Sequence, residues 1–288
     1  SLHTTQTLNV GRREFSCRTR RDLDIDTVWE LNHWLKDAQD LRAWLSLPEA
    51  EVSLDPDIGP ILEAEAQLAD SGIVMIDLAD PLCLAAEMFD MQTYMVLALT
   101  ETKLFHQLLE RFARRLQAQV ACIAKLLPGR LWRVYGPEYA APPYMPPALF
   151  REFVVPYDTP LIETIHAHGG YARIHSHGHL RDILDDIVAT GCVGLDPVEP
   201  PPQGDVTLDY VRERYGNQLV LFGNIELVDL ENLGPDQFAE KVRTALEQGT
   251  RGKGRGLVLM PSASPIGREL SPVTLRNYET MVEIAEAF

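Results

Sequence analysis

From Gly72 to the C-terminus, short apolar runs alternate with amphipathic stretches, and this alternation restricts the fold more than any other feature. The runs are GIVMIDL from Gly72, LWRVYG from Leu131, YARIH from Tyr171, VGLDP from Val193, LVLFG from Leu219 and GLVLMP from Gly256. Between and after them, helical periodicity predicts helices over Glu101–Leu127, Pro147–Ala167, Leu180–Thr190, Leu208–Tyr215, Pro235–Gln248 and Pro272–Ala287. A short strand that is apolar on both faces is buried on both faces. Strands of that kind joined by helices build a parallel sheet from βαβ units. The expected fold class is therefore α/β, a (β/α)8 TIM-type barrel over residues 72–288. Such a barrel takes eight strands and about 250 residues. Only six runs are clear here, so either two strands hide in the irregular N-terminal sequence or the barrel lacks its first one or two βα units.

Residues 1–71 read as a separate part that packs on the barrel. TTQTLNVGRREFSC alternates around Val10-Gly11 as a β-hairpin does. A helix is expected from Asp26 to Leu45, on the spacing of Trp29, Leu31, Trp34, Leu35, Leu41 and Leu45. Pro48, Pro56 and Pro60 punctuate the way to a second helix at Ile61–Ala69.

The formal net charge of −16 repels nucleic acid and anionic membranes, and neither is expected as a partner. A small anionic substrate responds instead to the local field of its pocket. Four scattered cysteines without a C-x-x-C pair fit a reducing compartment. No apolar run reaches the length of a membrane span and no signal-peptide pattern opens the chain, so a cytoplasmic protein is expected.

Barrel enzymes carry their chemistry at the C-terminal ends of the strands. Those positions hold Asp77 and Asp80, then Glu138 beside Tyr139, then His175 and His177. Asp196 and Glu199 follow, then Asn224 and Glu226, and finally Ser262 and Ser264. On a strand, residues i and i+2 face the same way, so both imidazoles can point into the mouth. Neutral imidazoles suit zinc or ferrous iron, and Glu138 or Asp196 would complete a two-histidine, one-carboxylate set. The alternative is that one ring packs while the other hydrogen-bonds a carboxylate. Asp77, Glu138 and Asp196 are the candidate acid–base groups, and Tyr139, Asn224, Glu226 and Ser262 the candidate substrate contacts. Asp80 and Asp205 precede helices and are expected to cap them. His166 and His168 end a helix, where i and i+2 diverge, and are assigned to the surface. GTRGKGRG resembles a phosphate loop but precedes a strand, on the face opposite the mouth. PVEPPPQGD reads as a stiff wall of the mouth.

HSHGHLRDILDDIVATGCVGLDPVEPP, YGNQLVLFGNIELVDLENLGPDQFAEKVRTAL and MPPALFREFVVPYDTPLIETIHAHGG, taken together, resemble the uroporphyrinogen decarboxylase (URO-D) superfamily from about Gly72 onwards. The resemblance implies a (β/α)8 barrel and one of two chemistries. The decarboxylases remove carboxylates from a tetrapyrrole without metal or cofactor. The corrinoid-linked methyltransferases bind zinc through an H-x-C pair and a distant cysteine, and the zinc activates a thiol to take a methyl group from a methylcorrinoid. The chain departs from both. The arginine-rich N-terminal motif and catalytic aspartate motif of the decarboxylases are missing, and no histidine follows His179. His175 matches the first methyltransferase ligand, His177 stands in place of the cysteine, and the distant cysteine position falls near Ala263. The leading expectation is a methyltransferase-like enzyme with zinc or ferrous iron on His175, His177 and Glu138, and a corrinoid as substrate or on a partner corrinoid protein. A tetrapyrrole decarboxylase is the second expectation, and a degenerate ligand-binding barrel the third. A barrel short of strands exposes unpaired edges, for which a homodimer or poor solubility is expected.

Overall fold

Leu2–Val10 (β1) and Arg13–Arg21 (β2) pair antiparallel on either side of Gly11, as the alternating sequence predicts. The computed structural model describes residues 1–11, 13–49, 52 and 55–288; Arg12 of the hairpin and part of the Pro48–Pro60 connection lie outside the described residues. A third strand, Val28–Asn32 (β3), pairs with β2 and replaces the first half of the helix expected over Asp26–Leu45. The helix that does form, α1, covers Ala38–Leu45. Its start is fixed by Asp37, whose carboxylate accepts from the amides of Gln39 and Asp40 at 2.8 Å. Upstream of that cap, the branched and aromatic side chains of Val28-Trp29-Glu30-Leu31 suit a pleated surface. Asn32 anchors the strand by donating from Nδ2 to the Ser16 carbonyl at 3.0 Å.

The chain continues through α2 (Gly59–Leu68), β4 (Met75–Ala79), α3 (Pro81–Ala86), α4 (Met91–Thr100), α5 (Thr102–Leu126) and β5 (Leu131–Tyr135). Next come α6 (Pro147–Phe153), α7 (Val155–Ala167), β6 (Tyr171–His175), α8 (Leu184–Ala189) and β7 (Gly194–Asp196). The last elements are α9 (Leu208–Tyr215), β8 (Val220–Ile225), α10 (Leu227–Asn232), α11 (Pro235–Thr250), β9 (Leu257–Pro261) and α12 (Pro272–Ala287). All six expected apolar runs contain a strand. Their edges differ: Gly72–Val74 stay outside β4, the helix expected over Pro147–Ala167 is interrupted at Val154, and α8 starts only at Leu184.

The chain divides into two compact units. One comprises residues 37–87 and 91–195. Here β4, β5 and β6 are parallel, with Ile76, Trp132 and Ala172 in register and Leu78, Val134 and Ile174 two residues on. These side chains are buried, and α7 packs on β6 while α5 packs on α3 and α7. The 25-residue α5 buries Phe105, Leu108, Leu109, Leu116 and Val120, a stripe at helical spacing. Each such side chain contributes about 1.5–3 kcal/mol on burial.

The other unit comprises residues 1–36, 88–90 and 196–288. Its β8 and β9 are parallel, from Leu221 opposite Leu257 to Ile225 opposite Pro261. Helix α11 covers them with Phe238, Val242, Ala245 and Leu246, and also meets α9 and α12. The β1–β3 sheet belongs to this unit, where Ile25 bridges to Gly267. Among the described residues no helix is long and apolar enough to cross a membrane.

Candidate active site

The register of β4, β5 and β6 sets two rows of side chains on one sheet face. Asp77, Arg133 and Arg173 are partners in register, and two residues on stand Ala79, Tyr135 and His175. Asp77 and Arg133 form an ion pair at 2.7 Å, and the Arg133 guanidinium lies 5.5 Å from the centre of the Tyr135 ring. Arg173 is buried. Asp77 therefore sits mid-strand rather than at the strand end, because the strand begins at Met75 and not at Gly72. Sequence reading missed Arg133, Tyr135 and Arg173. The available signal was the arginine at the centre of both LWRVY and YARIH, interrupting two apolar runs at the same register.

Beyond β6 the chain turns through Ser176–Gly178, and the amide of His179 donates to the Pro142 carbonyl at 2.9 Å. His175 ends β6 and His177 lies two residues beyond it, outside the strand, so the chain after the strand and not the strand pleat brings the two rings together. Their rings meet edge to face, 4.8 Å between centres and 87° between planes, and both are half-buried. The two imidazoles are nitrogen donors of the type zinc and ferrous iron accept. Among the described residues, however, no three His, Cys, Asp or Glu side chains gather in a metal-binding cluster. The histidine pair alone does not complete a donor set.

Glu138 lies in the turn after β5, where its Oε2 accepts from the Gly136 amide at 3.0 Å. Gly136 has φ +118°, and a Cβ there would strike Cys83 and the Asp80 carboxylate; only glycine suits both the conformation and the space. Tyr139 is fixed by Tyr94, whose hydroxyl donates to the Tyr139 carbonyl at 2.9 Å and whose ring meets it edge to face at 5.9 Å.

Asp80 caps α3 as predicted, accepting from the Cys83 amide at 2.5 Å. It is also fully buried, and its second oxygen has no hydrogen-bond partner. Asp158 on α7 is likewise fully buried, with neither carboxyl oxygen partnered. Burial, then the charge of Asp158, pushes the Asp80 carboxyl well above the usual carboxylate range, with Glu138 adding to the rise. Burial does the same to Asp158. Burial and the neighbouring Asp80 push the Cys83 thiol far up as well. The N-cap of α9 is Thr207 rather than Asp205; its hydroxyl accepts no bond from a helix amide and donates instead to the Asp209 carboxylate. His168, expected at the surface, is half-buried and pairs through Nδ1 with the Thr164 carbonyl at 2.9 Å.

The remaining predicted residues lie in the other unit, at the ends of β7, β8 and β9. Asp196 is fully buried beside the cis peptide to Pro197, and Glu199 is buried too. Ser262 and Glu226 come together: Ser262 donates its amide to the Ile225 carbonyl at 2.7 Å and its hydroxyl to Glu226 Oε2 at 3.5 Å. The same hydroxyl accepts from the Leu227 amide at 3.2 Å, tying the end of β9 to the start of α10. Asn224 and Glu226 border a small cleft of about 140 Å³ with Pro200, Thr207, Lys241 and Gln248.

Strand order, helix placement and the polar rows can be set against known proteins. The uroporphyrinogen decarboxylase (URO-D) family model matches residues 61–288, most of the chain. The chain belongs to the URO-D family. Its fold is accordingly of the TIM-barrel type. A methyltransferase from Methanosarcina mazei is similar in structure, with a TM-score of 0.69 and 18% sequence identity over 94% of this chain and 75% of that one. At that identity the likeness speaks for the fold. No curated protein matches this chain in sequence.

Proposed function

We propose that this URO-D family member is a methyltransferase-like enzyme that moves a methyl group from a corrinoid to a small acceptor. The observation that carries the reading is the His175–His177 pair, half-buried at the C-terminal end of β6 on the sheet face that also bears Tyr135. The likeness to the methyltransferase from Methanosarcina mazei supports the same choice. A methylcorrinoid substrate, when bound, supplies an electrophilic methyl group. The work left to the chain is to make the acceptor nucleophilic. An imidazole nitrogen of the pair takes the proton from the acceptor's S–H or O–H, and the freed lone pair forms the new bond to the methyl carbon as the carbon–cobalt bond breaks, its electrons staying with cobalt. The second imidazole, in edge contact with the first, fixes its orientation. Tyr135 and Arg133 line the same face for acceptor contact.

Metal on the histidine pair belongs to this proposal as a separate question, and no step above depends on it. Elemental analysis of metal-replete protein beside a His175→Ala, His177→Ala double variant answers it. About one zinc or iron per chain, lost in the variant, would support a metal held by the pair with further donors. Equal metal content in both, or none in either, would leave the rings as acid–base groups.

One observation favours a second reading, tetrapyrrole decarboxylation. Arg133 and Arg173 stand in one row on the same sheet face, and guanidinium groups are the usual partners of substrate carboxylates. Incubation with methylcobalamin and a thiol, and separately with uroporphyrinogen, distinguishes the two readings. Methylated thiol without release of CO₂ supports methyl transfer. Release of CO₂ without methyl transfer overturns it in favour of the decarboxylase.

A further inference from the structure

The glycine-rich GTRGKGRG segment, which the proposed chemistry does not use, borders a separate cleft. It spans Gly249–Gly256, from the last residues of α11 to the start of β9, at the opposite end of β9 from Ser262. Asp209, Arg212 and Glu213 of α9, with Asn217, Arg251 and Lys253, line a cleft of about 480 Å³. That is the size range of small-ligand pockets.

Arg212 builds the cleft. It is buried, and its guanidinium donates from Nε to the Gly249 carbonyl at 2.7 Å and from Nη2 to the Gly256 carbonyl at 2.6 Å. One side chain thus holds both ends of the loop and fixes the segment that carries Arg251 and Lys253. Its third nitrogen, Nη1, is buried without a hydrogen-bond partner, against Gly254, where a Cβ would strike it. A buried, charged donor without an acceptor is costly and marks a place where an anion is favoured.

The charges around the cleft are not balanced. Three cations face two carboxylates, and both carboxylates are engaged. Asp209 accepts from the Thr207 hydroxyl and the Tyr210 amide and is also drawn on by the charge of Arg251, while Glu213 lies 3.9 Å from Arg214 outside the cleft lining. On a chain of net charge −16 this is a local reversal of sign. We propose that the cleft binds the phosphate group of a small phosphorylated molecule, with Arg251 and Lys253 as the contacting cations and Arg212 as the residue that positions them. The glycines at 252 and 254 leave the loop backbone open to close approach by the phosphate oxygens. This site is independent of the histidine pair and of the reaction proposed there.

The test is isothermal titration calorimetry of the full chain at low ionic strength with inorganic phosphate and, in parallel, inorganic pyrophosphate. Expected is saturable, salt-sensitive binding, tighter for pyrophosphate, that weakens by about tenfold or more in an Arg251→Glu, Lys253→Glu variant. Both positions are exposed, so the variant keeps the fold, which circular dichroism checks. Glu213→Gln, which removes a negative charge from the rim, is expected to bind a few-fold tighter. No saturable binding of either anion, or binding unchanged in the double variant, overturns the proposal.

Discussion

Replacing Asp158 by alanine should stabilise the protein at neutral pH, an unusual direction for a core substitution. The carboxyl is fully buried on α7 and neither oxygen has a hydrogen-bond partner. Leaving a buried polar group unpaired costs about 1–3 kcal/mol, which the alanine variant removes. The small cavity left behind costs roughly 1 kcal/mol or less at about 24 cal/mol per Å³. The net expectation is a gain of about 1–2 kcal/mol from these terms. A pH-dependent part adds to it. Burial raises the folded-state pKa of Asp158 well above its unfolded value, so the folded state holds a proton that the unfolded chain has given up. Stability from this group is fully present below the unfolded pKa of about 3.9 and is lost as pH rises towards the folded value, by about 1.4 kcal/mol per unit of separation. Asp80, raised in the same direction, keeps part of that dependence in the variant. Urea denaturation at pH 5 and pH 8 measures both effects. Wild type should lose stability between the two pH values, and Asp158→Ala should lose less and exceed wild type at pH 8. A variant less stable than wild type at both pH values would refute the reasoning and show that the carboxylate has a favourable partner in the folded state.

Two further outcomes test the packing around the site. Gly136→Ala must place a Cβ against Cys83 and Asp80 at a φ of +118°, and a loss of about 2–4 kcal/mol is expected in thermal or chemical unfolding; a change under 1 kcal/mol would contradict the geometry. Of the four cysteines, Cys17, Cys83 and Cys192 are buried and only Cys122 is partly open. Burial raises all three buried thiols, Cys192 to about 11. Dithionitrobenzoate at pH 8 should therefore titrate about one thiol in the native protein and four after denaturation; fast reaction of two or more native thiols would contradict this.

The strands were legible because each is a short, mostly apolar run set between helical stretches, and the β-hairpin because its alternation is regular. Val28–Asn32 was not, because Trp29, Leu31, Trp34 and Leu35 satisfy a helical spacing by coincidence, and the deciding cap at Asp37 lies downstream of them. The H-x-H pair was legible as a pair at a strand end, although the chain after β6 and not the strand pleat brings the rings together. Arg133 and Arg173 were not, since a single arginine in an apolar run gives no sign of its partner until the register of β5 and β6 is known. Asp158 was hidden for a related reason. It occupies a helix first turn, where a carboxylate is ordinary, and only the tertiary packing reveals that this one is buried. Ser262 and Glu226 were placed correctly at strand ends, but their hydrogen bonds to Leu227 and to each other show them holding β9 and α10 together.

The most direct test of the account is methyl transfer from methylcobalamin to a thiol by wild type, by the His175→Ala and His177→Ala single variants and by the double variant. The account predicts turnover by wild type and a loss of about hundredfold or more in the double variant, with circular dichroism unchanged. A double variant that keeps the wild-type rate would contradict it and remove the histidine pair from the chemistry.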